Sequence, residues 1–288
     1  MATFQEISIP LADGYPAYAR WWPAPGATEA VLHLHGIQSH CGWYEETARR
    51  LCEAGFAVLQ PDRRGSGHNQ QDRAHADASP QLIEDVLVCR ERLRELAGVD
   101  RIHLVGVSWG GKLVAAVHAT NPKLAASLTL VAPGLYPVVD VSGAEKFRIG
   151  WAMLSDPTKH FDIPLNDPEL FTDDPEKIRF LEEDPLTLHQ ASAGFYLASR
   201  RMDKTAAKIT EAPPVPLYVL LAGEERIIDN ERTAELVRGL DWPHRRLTRY
   251  DRSRHTIEFG PDREQFWSDL VNWLRAPESG IGRDVRER

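Results

Sequence analysis

Apolar runs of strand length recur along the chain: "AVLHLHG" at 30–36, "FAVLQPD" at 56–62, "RIHLVGVS" at 101–108, "SLTLVAPG" at 127–134 and "PLYVLLAG" at 216–223. Each is apolar on both faces and closes on glycine, proline or a polar residue, the pattern of a strand buried on both sides. Helical patterns separate most of them. "GWYEETARRLCEAG" (42–55) closes on a glycine, and "SPQLIEDVLVCRERLREL" (79–96) opens on Ser-Pro, a helix-start pair. "WGGKLVAAVHATNP" (109–122) ends in Asn-Pro, while "DNERTAELVRGL" (229–240) and "DREQFWSDLVNWL" (262–274) are amphipathic. Strand alternating with helix predicts an α/β fold with a mostly parallel sheet covered on both faces. The first 25 residues differ: "FQEISIP" and "YARWWPA" flank the turn-like "LADGYP", which predicts an antiparallel pair at one edge.

The alternation stops between 135 and 212, where no strand-like run occurs and four Asp-Pro dipeptides fall at 156–157, 167–168, 174–175 and 184–185. Asp-Pro suits a helix N-cap followed by the first helical position, so several short helices are expected. The segment is rich in Trp151, Met153, Phe161, Phe171, Phe180, Phe195 and Tyr196. The expected organisation is a core over 1–134, a helical cap over 135–212, a second core part over 213–275 and a loose polar tail over 276–288.

Composition narrows the class. The 288 residues are 42% hydrophobic and carry a formal net charge of −8, which argues against a nucleic-acid partner. No run is long enough to span a membrane, and the start lacks the basic and apolar regions of a signal peptide. Cys41, Cys52 and Cys89 form no paired spacing, as expected of buried thiols in a reducing, cytoplasmic protein.

The chemistry centres on Gly106-Val107-Ser108-Trp109-Gly110. A G-x-S-x-G between a strand and a helix is the setting of a nucleophile elbow, with Ser108 as nucleophile. Neither phosphate-loop pattern is satisfied there. A serine needs a base, and the elbow geometry puts it on a loop after the last strand; "RRLTRYDRSRHTIEF" supplies His255. His33, His35, His118, His160 and His189 read as packed or surface residues. Trp109 N–H, at the helix N-terminus, and Ile37 N–H, in the loop after an early strand, are the candidate oxyanion donors.

These residues resemble the α/β-hydrolases of the monoacylglycerol lipase and lysophospholipase group, also described as serine-aminopeptidase-like. The resemblance rests on "HLHGIQSHCGWYEETARRLCEAGFAVLQPDRRGSGHN", "GVSWGG" and "RHTIEF" and covers nearly all of 3–275. It implies Ser108 as nucleophile, His255 as base, Ile37 and Trp109 as oxyanion donors, and the 135–212 insertion as a lid shaping an acyl pocket. His40 and Asp62 match recurrent positions of the group and read as structural.

One feature departs from the group. The group usually places an aspartate two or three residues after the glycine that ends the 217–222 run, whereas here Gly223 is followed by Glu224, Glu225 and Arg226. Glutamate is an accepted third member in such enzymes. Spacing puts Glu225 at the acid position, with Asp229 as the helix-opening residue and the alternative acid. The expected activity is hydrolysis of carboxylic esters with an apolar acyl part, through an acyl-enzyme and without metal or organic cofactor. Amide, peptide or thioester hydrolysis on the same residues is the alternative within enzymes. A small-molecule receptor with a slow or vestigial triad is the alternative outside them.

Overall fold

The computed structural model describes residues 2–278. Of the expected tail, 279–288 lies outside the described residues. In chain order the main elements are β1 (Gln5–Pro10), β2 (Pro16–Trp22), β3 (Ala30–Leu34), α1 (Glu45–Glu53), β4 (Ala57–Pro61), α2 (Ser79–Ala97), β5 (Ile102–Val107), α3 (Trp109–Thr120) and β6 (Ser127–Val131). There follow α4 (Gly143–Ser155), β7 (His160–Asp162), α5 (Pro175–Glu183), β8 (Gln190–Ser192), α6 (Ala193–Ala207), β9 (Leu217–Ala222), α7 (Asn230–Gly239), β10 (Arg245–Tyr250) and α8 (Arg263–Arg275).

The five apolar runs become β3, β4, β5, β6 and β9, and every residue of these strands is buried. Burial on both faces requires cover on both faces, and helices flank the sheet, α1 packing with α8 and α2 with α3. The sheet has eight strands in the order β1-β2-β4-β3-β5-β6-β9-β10. Pairing is parallel from β4 through β10, while β1 and β2 form the antiparallel edge. This is the α/β-hydrolase architecture: a mostly parallel sheet with helices around it.

The 135–212 segment departs from a purely helical reading. Beside α4, α5 and α6 it holds a small antiparallel ladder, with His160 opposite Ser192 and Asp162 opposite Gln190. At three residues per strand, the ladder is too short for an alternating pattern to be read. The Asp-Pro pairs also divide. Asp167 and Asp174 cap helical turns, accepting from Glu169 N–H (2.9 Å) and Glu176 N–H (2.9 Å). Asp156 and Asp184 instead follow α4 and α5 as their C-terminal caps. An aspartate binds N–H groups just ahead of it in a turn as readily as at a helix start, so the dipeptide alone does not separate the two. All three cysteines are free and buried. No helix among the described residues is long and apolar enough to cross a membrane.

Candidate active site

Ser108 joins β5 to α3 with φ 54° and ψ −118°. A side chain at positive φ is strained, and the surroundings enforce it. Ser108 N–H donates to the Val131 carbonyl (2.8 Å), and its own carbonyl accepts from Gly134 N–H (2.8 Å). A Cβ at 106 would sit 2.4 Å from the Gly110 oxygen, and one at 110 would sit 2.5 Å from the Leu34 oxygen. The two glycines of the motif are therefore what lets β5, α3 and the end of β3 approach so closely. The hydroxyl emerges beyond the carboxyl ends of the strands, where open α/β sheets present their crevices.

β9 and β10 are parallel neighbours, with Ala222 beside Tyr250, so the loops that follow them leave the sheet side by side. His255 Nδ1–H donates to Glu225 Oε2 (2.8 Å), and Ser108 Oγ–H donates to His255 Nε2 (2.8 Å). A carboxylate can only accept, so it fixes this tautomer. Glu225 and His255 side chains are each 2% exposed. The other oxygen, Oε1, accepts from Ile227 N–H at 2.7 Å and Arg226 N–H at 3.0 Å. Burial alone would raise the Glu225 pKa. The nearby His255, its hydrogen bond and the Ile227 and Ile228 amides outweigh that and hold it below the usual glutamate value.

The competing acids lie elsewhere. Asp229 caps α7, accepting from Arg232 N–H (3.0 Å). Glu224 reaches toward Arg254 at 3.8 Å.

The loop that carries Ile37 has a fastening that sequence reasoning did not identify. The Gly36 carbonyl accepts from Arg63 Nη1 (3.1 Å) and from His35 Nδ1 (2.8 Å), and the Ile37 carbonyl accepts from Arg63 Nη2 (3.0 Å). The peptide bonds are trans, so N–H points opposite to C=O across each plane. Turning the Gly36 carbonyl toward Arg63 turns the Ile37 N–H away from it. Ile37, Ser108 and Trp109 line one cavity. The guanidinium also stacks 4.9 Å from the centroids of both Trp109 and Phe195. Burial lowers the Arg63 pKa to about 9. Arg63 lies 26 residues from Ile37, and only the folded chain brings the two together.

The cavity over Ser108 has a volume of about 410 Å³. Its lining is largely aliphatic, with Val139, Val141, Ile149, Met153, Ile163 and Leu165, and it also includes Lys112, Ser199 and Asp203. The aromatics of the insertion are mostly elsewhere. Trp151 is 67% exposed, Phe171 packs on Trp43 and His255, and Phe195 packs on Trp109. Tyr196 does line the cavity.

His40 and Asp62 sit behind the loop. With Cys41 and His68 they bring ligand atoms within 4.8 Å of one another, a spacing that could suit a metal ion. The donor set is already used, however. His40 accepts from Gly42 N–H and bonds Asp184 at 2.9 Å, while Asp62 accepts from Cys41 N–H, His68 N–H and His68 Nδ1. Burial also raises the Cys41 thiol pKa, disfavouring the thiolate a metal needs. The cluster acts as a strut: His40 and Trp43 Nε1 both hold Asp184 of the insertion.

Comparison with known proteins shows the family and the fold. The family model for serine aminopeptidase, S33 (Hydrolase_4) matches residues 26–262. An uncharacterised abhydrolase domain-containing protein of Dictyostelium discoideum is 24% identical over 88% of this chain, which spans only 27% of that relative. The monoglyceride lipase of Homo sapiens is 23% identical, covering 85% of this chain and 82% of its own. In structure, a soluble variant of monoglyceride lipase from Saccharomyces cerevisiae, in complex with a substrate analogue, superposes with a TM-score of 0.83. At 16% identity over 98% of this chain and 97% of its own, that likeness shows the fold.

Two expected outcomes follow from the geometry. Glu225→Gln should leave the fold intact and lower turnover by roughly 10²–10⁴-fold, because an amide can hold the wrong imidazole tautomer. Asp229→Asn should leave turnover nearly unchanged and shift stability by at most about 1 kcal/mol, since asparagine also caps helices. Steady-state kinetics and thermal denaturation of the pair check this. Arg63→Met, which keeps apolar bulk but frees the Ile37 carbonyl and leaves the Gly36 carbonyl to His35 alone, should lower kcat by roughly 10–100-fold with little change in KM, since a misaimed oxyanion donor weakens mainly the transition state. A rise in KM at constant kcat would show that Arg63 acts on substrate binding instead.

Proposed function

Because the chain belongs to the serine aminopeptidase S33 family, whose model spans residues 26–262, we propose that it hydrolyses carboxylic esters with Ser108 as nucleophile. The supporting observation is the Ser108–His255–Glu225 relay opening into a largely aliphatic cavity. In this reading Ser108 Oγ attacks the ester carbonyl carbon and its proton passes to His255 Nε2. Negative charge develops on the carbonyl oxygen between the N–H groups of Ile37 and Trp109, the second also favoured by the α3 dipole. The imidazolium, steadied by Glu225, protonates the departing alcohol oxygen and leaves an acyl-serine. Water then enters, His255 takes its proton, and the hydroxide attacks the acyl carbon. Collapse returns the proton to Ser108 and releases the acid.

The 135–212 segment is the cap of this site and supplies most of the aliphatic wall, which suits an apolar acyl group. The monoglyceride lipases of Homo sapiens and Saccharomyces cerevisiae, by name, act on esters of this kind. Aminopeptidase activity fits less well. A free substrate amine needs an unpaired acid, whereas the two aspartates lining the cavity are engaged, Asp140 by Lys146 and Asp203 by Lys112.

A panel of matched esters, thioesters and amides of varied acyl length tests the proposal. Esters of medium apolar acids should turn over fastest. Ser108→Ala should lose roughly 10³–10⁶-fold in turnover while keeping the wild-type melting temperature within a few degrees. Faster turnover of amides than esters, or unchanged turnover in the variant, would contradict it.

A further inference from the structure

One wall of the catalytic cavity is built against its apolar character. Lys112 lies in the first turn of α3, which begins just after Ser108, and both residues line the cavity. Its side chain is 7% exposed. Lys112 Nζ donates to Asp203 Oδ1 (2.7 Å) and to Ser199 Oγ (3.0 Å), both from α6. Trp109 Nε1–H donates to the same Ser199 oxygen (2.9 Å). Burial lowers the Lys112 pKa, and Asp203 works against that shift.

A buried ammonium is expensive unless paired, and Asp203 pairs this one. A packed interhelical ion pair would need nothing more. This one lines the same cavity as the catalytic serine, and its donors exceed its acceptors. An ammonium has three N–H groups, and two are directed at Asp203 and Ser199. The Ser199 oxygen accepts two hydrogen bonds, which leaves its own O–H to donate. Of the other cations along the cavity, Lys146 is exposed and pairs with Asp140, and Arg200 is 78% exposed, so Lys112 is the buried one. A buried ammonium and a hydroxyl with N–H and O–H groups beyond those directed at Asp203 and Ser199 suit an acceptor of negative charge.

We propose that Lys112, Ser199 and Asp203 form a polar subsite for a carboxylate carried by the substrate, in the cavity that Ser108 also lines. The substrate class is then the half-ester of a dicarboxylic acid, or another ester that carries an acidic group on its acyl chain. Lys112 and Ser199 donate to the carboxylate, and Asp203 keeps the lysine charged and aimed. This deepens the ester-hydrolase reading and rests on it for turnover, though not for binding.

The test uses the full-length chain carrying Ser108→Ala, so that binding is read without hydrolysis. Monomethyl adipate and methyl hexanoate have the same chain length and differ in the terminal carboxylate. Quenching of tryptophan fluorescence, with Trp109 on the cavity wall, reports affinity. The acidic ester should bind at least about tenfold more tightly, and the preference should fall by roughly 10–100-fold with Lys112→Met, the range of a charge-assisted hydrogen bond. Ser199→Ala, which removes one hydroxyl, should lower it by several-fold and decides the matter if Lys112→Met fails to fold. Equal affinity for the two esters, or a preference that survives both substitutions, would overturn the subsite. In parallel, the wild type is given the p-nitrophenyl esters of hexanoic and adipic acid. Binding preference without turnover of either would refute the ester-hydrolase reading and leave the subsite standing. Turnover of both with no binding preference would do the reverse.

Discussion

Ser108 holds a backbone conformation, φ 54° and ψ −118°, that an L-residue adopts only when its neighbours compel it. The compulsion comes from three strands. β5 delivers the serine, Val131 at the end of β6 accepts its N–H, and the Leu34 carbonyl at the end of β3 packs against Gly110. Removing any one of these would let the turn relax toward an ordinary strand–helix connection, and the hydroxyl would leave the reach of His255. The sheet order matters for the same reason. With β5 and β6 central and β9 and β10 following on one side, the loop ends carrying Ser108, Glu225 and His255 converge at one crevice.

A second constraint acts from the opposite side. Within the early loop, His35 Nδ1 bonds the Gly36 carbonyl and Ser39 Oγ accepts from Gly36 N–H, but the Ile37 carbonyl is held from outside. Arg63 does this from the end of β4, holding two successive carbonyls while its flat face rests on Trp109 and Phe195. The loop of Ile37, Trp109 at the start of α3 and Phe195 of α6 thus share one side chain. Asp184 provides a comparable link, held by His40 and Trp43 of the early loop. The insertion is joined to the machinery by these polar contacts as well as by apolar packing.

Much of this was legible in the sequence because it is local. Strand runs buried on both faces announce a parallel sheet, and a glycine–serine–glycine turn between strand and helix announces close backbone approach. Spacing after Gly223 pointed to Glu225, and the structure sets the Glu225 carboxylate on His255 Nδ1 and Asp229 on the cap of α7. Arg63 and Lys112 were not legible. Each looks like an ordinary charge until chain folding sets it against partners 26 and 91 residues away. The aromatics of the insertion misled in the other direction. Their number did not tell which of them face the pocket: ring-on-ring packing uses Phe171 and Phe195 as supports, and aliphatic side chains line most of the cavity.

The central claim is that Ser108, His255 and the amides of Ile37 and Trp109 form one acyl-transfer centre. The most direct measurement is a crystal structure of the protein inactivated with an alkyl fluorophosphonate, whose tetrahedral phosphorus stands for the carbon of the ester intermediate. The account predicts a covalent bond to Ser108 Oγ and the phosphoryl oxygen within about 2.7–3.1 Å of both the Ile37 and Trp109 nitrogens. The alkyl chain should lie along the aliphatic wall formed by Ile149, Met153 and Leu165. An adduct on another residue, or a phosphoryl oxygen bound by donors other than these two amides, would contradict it.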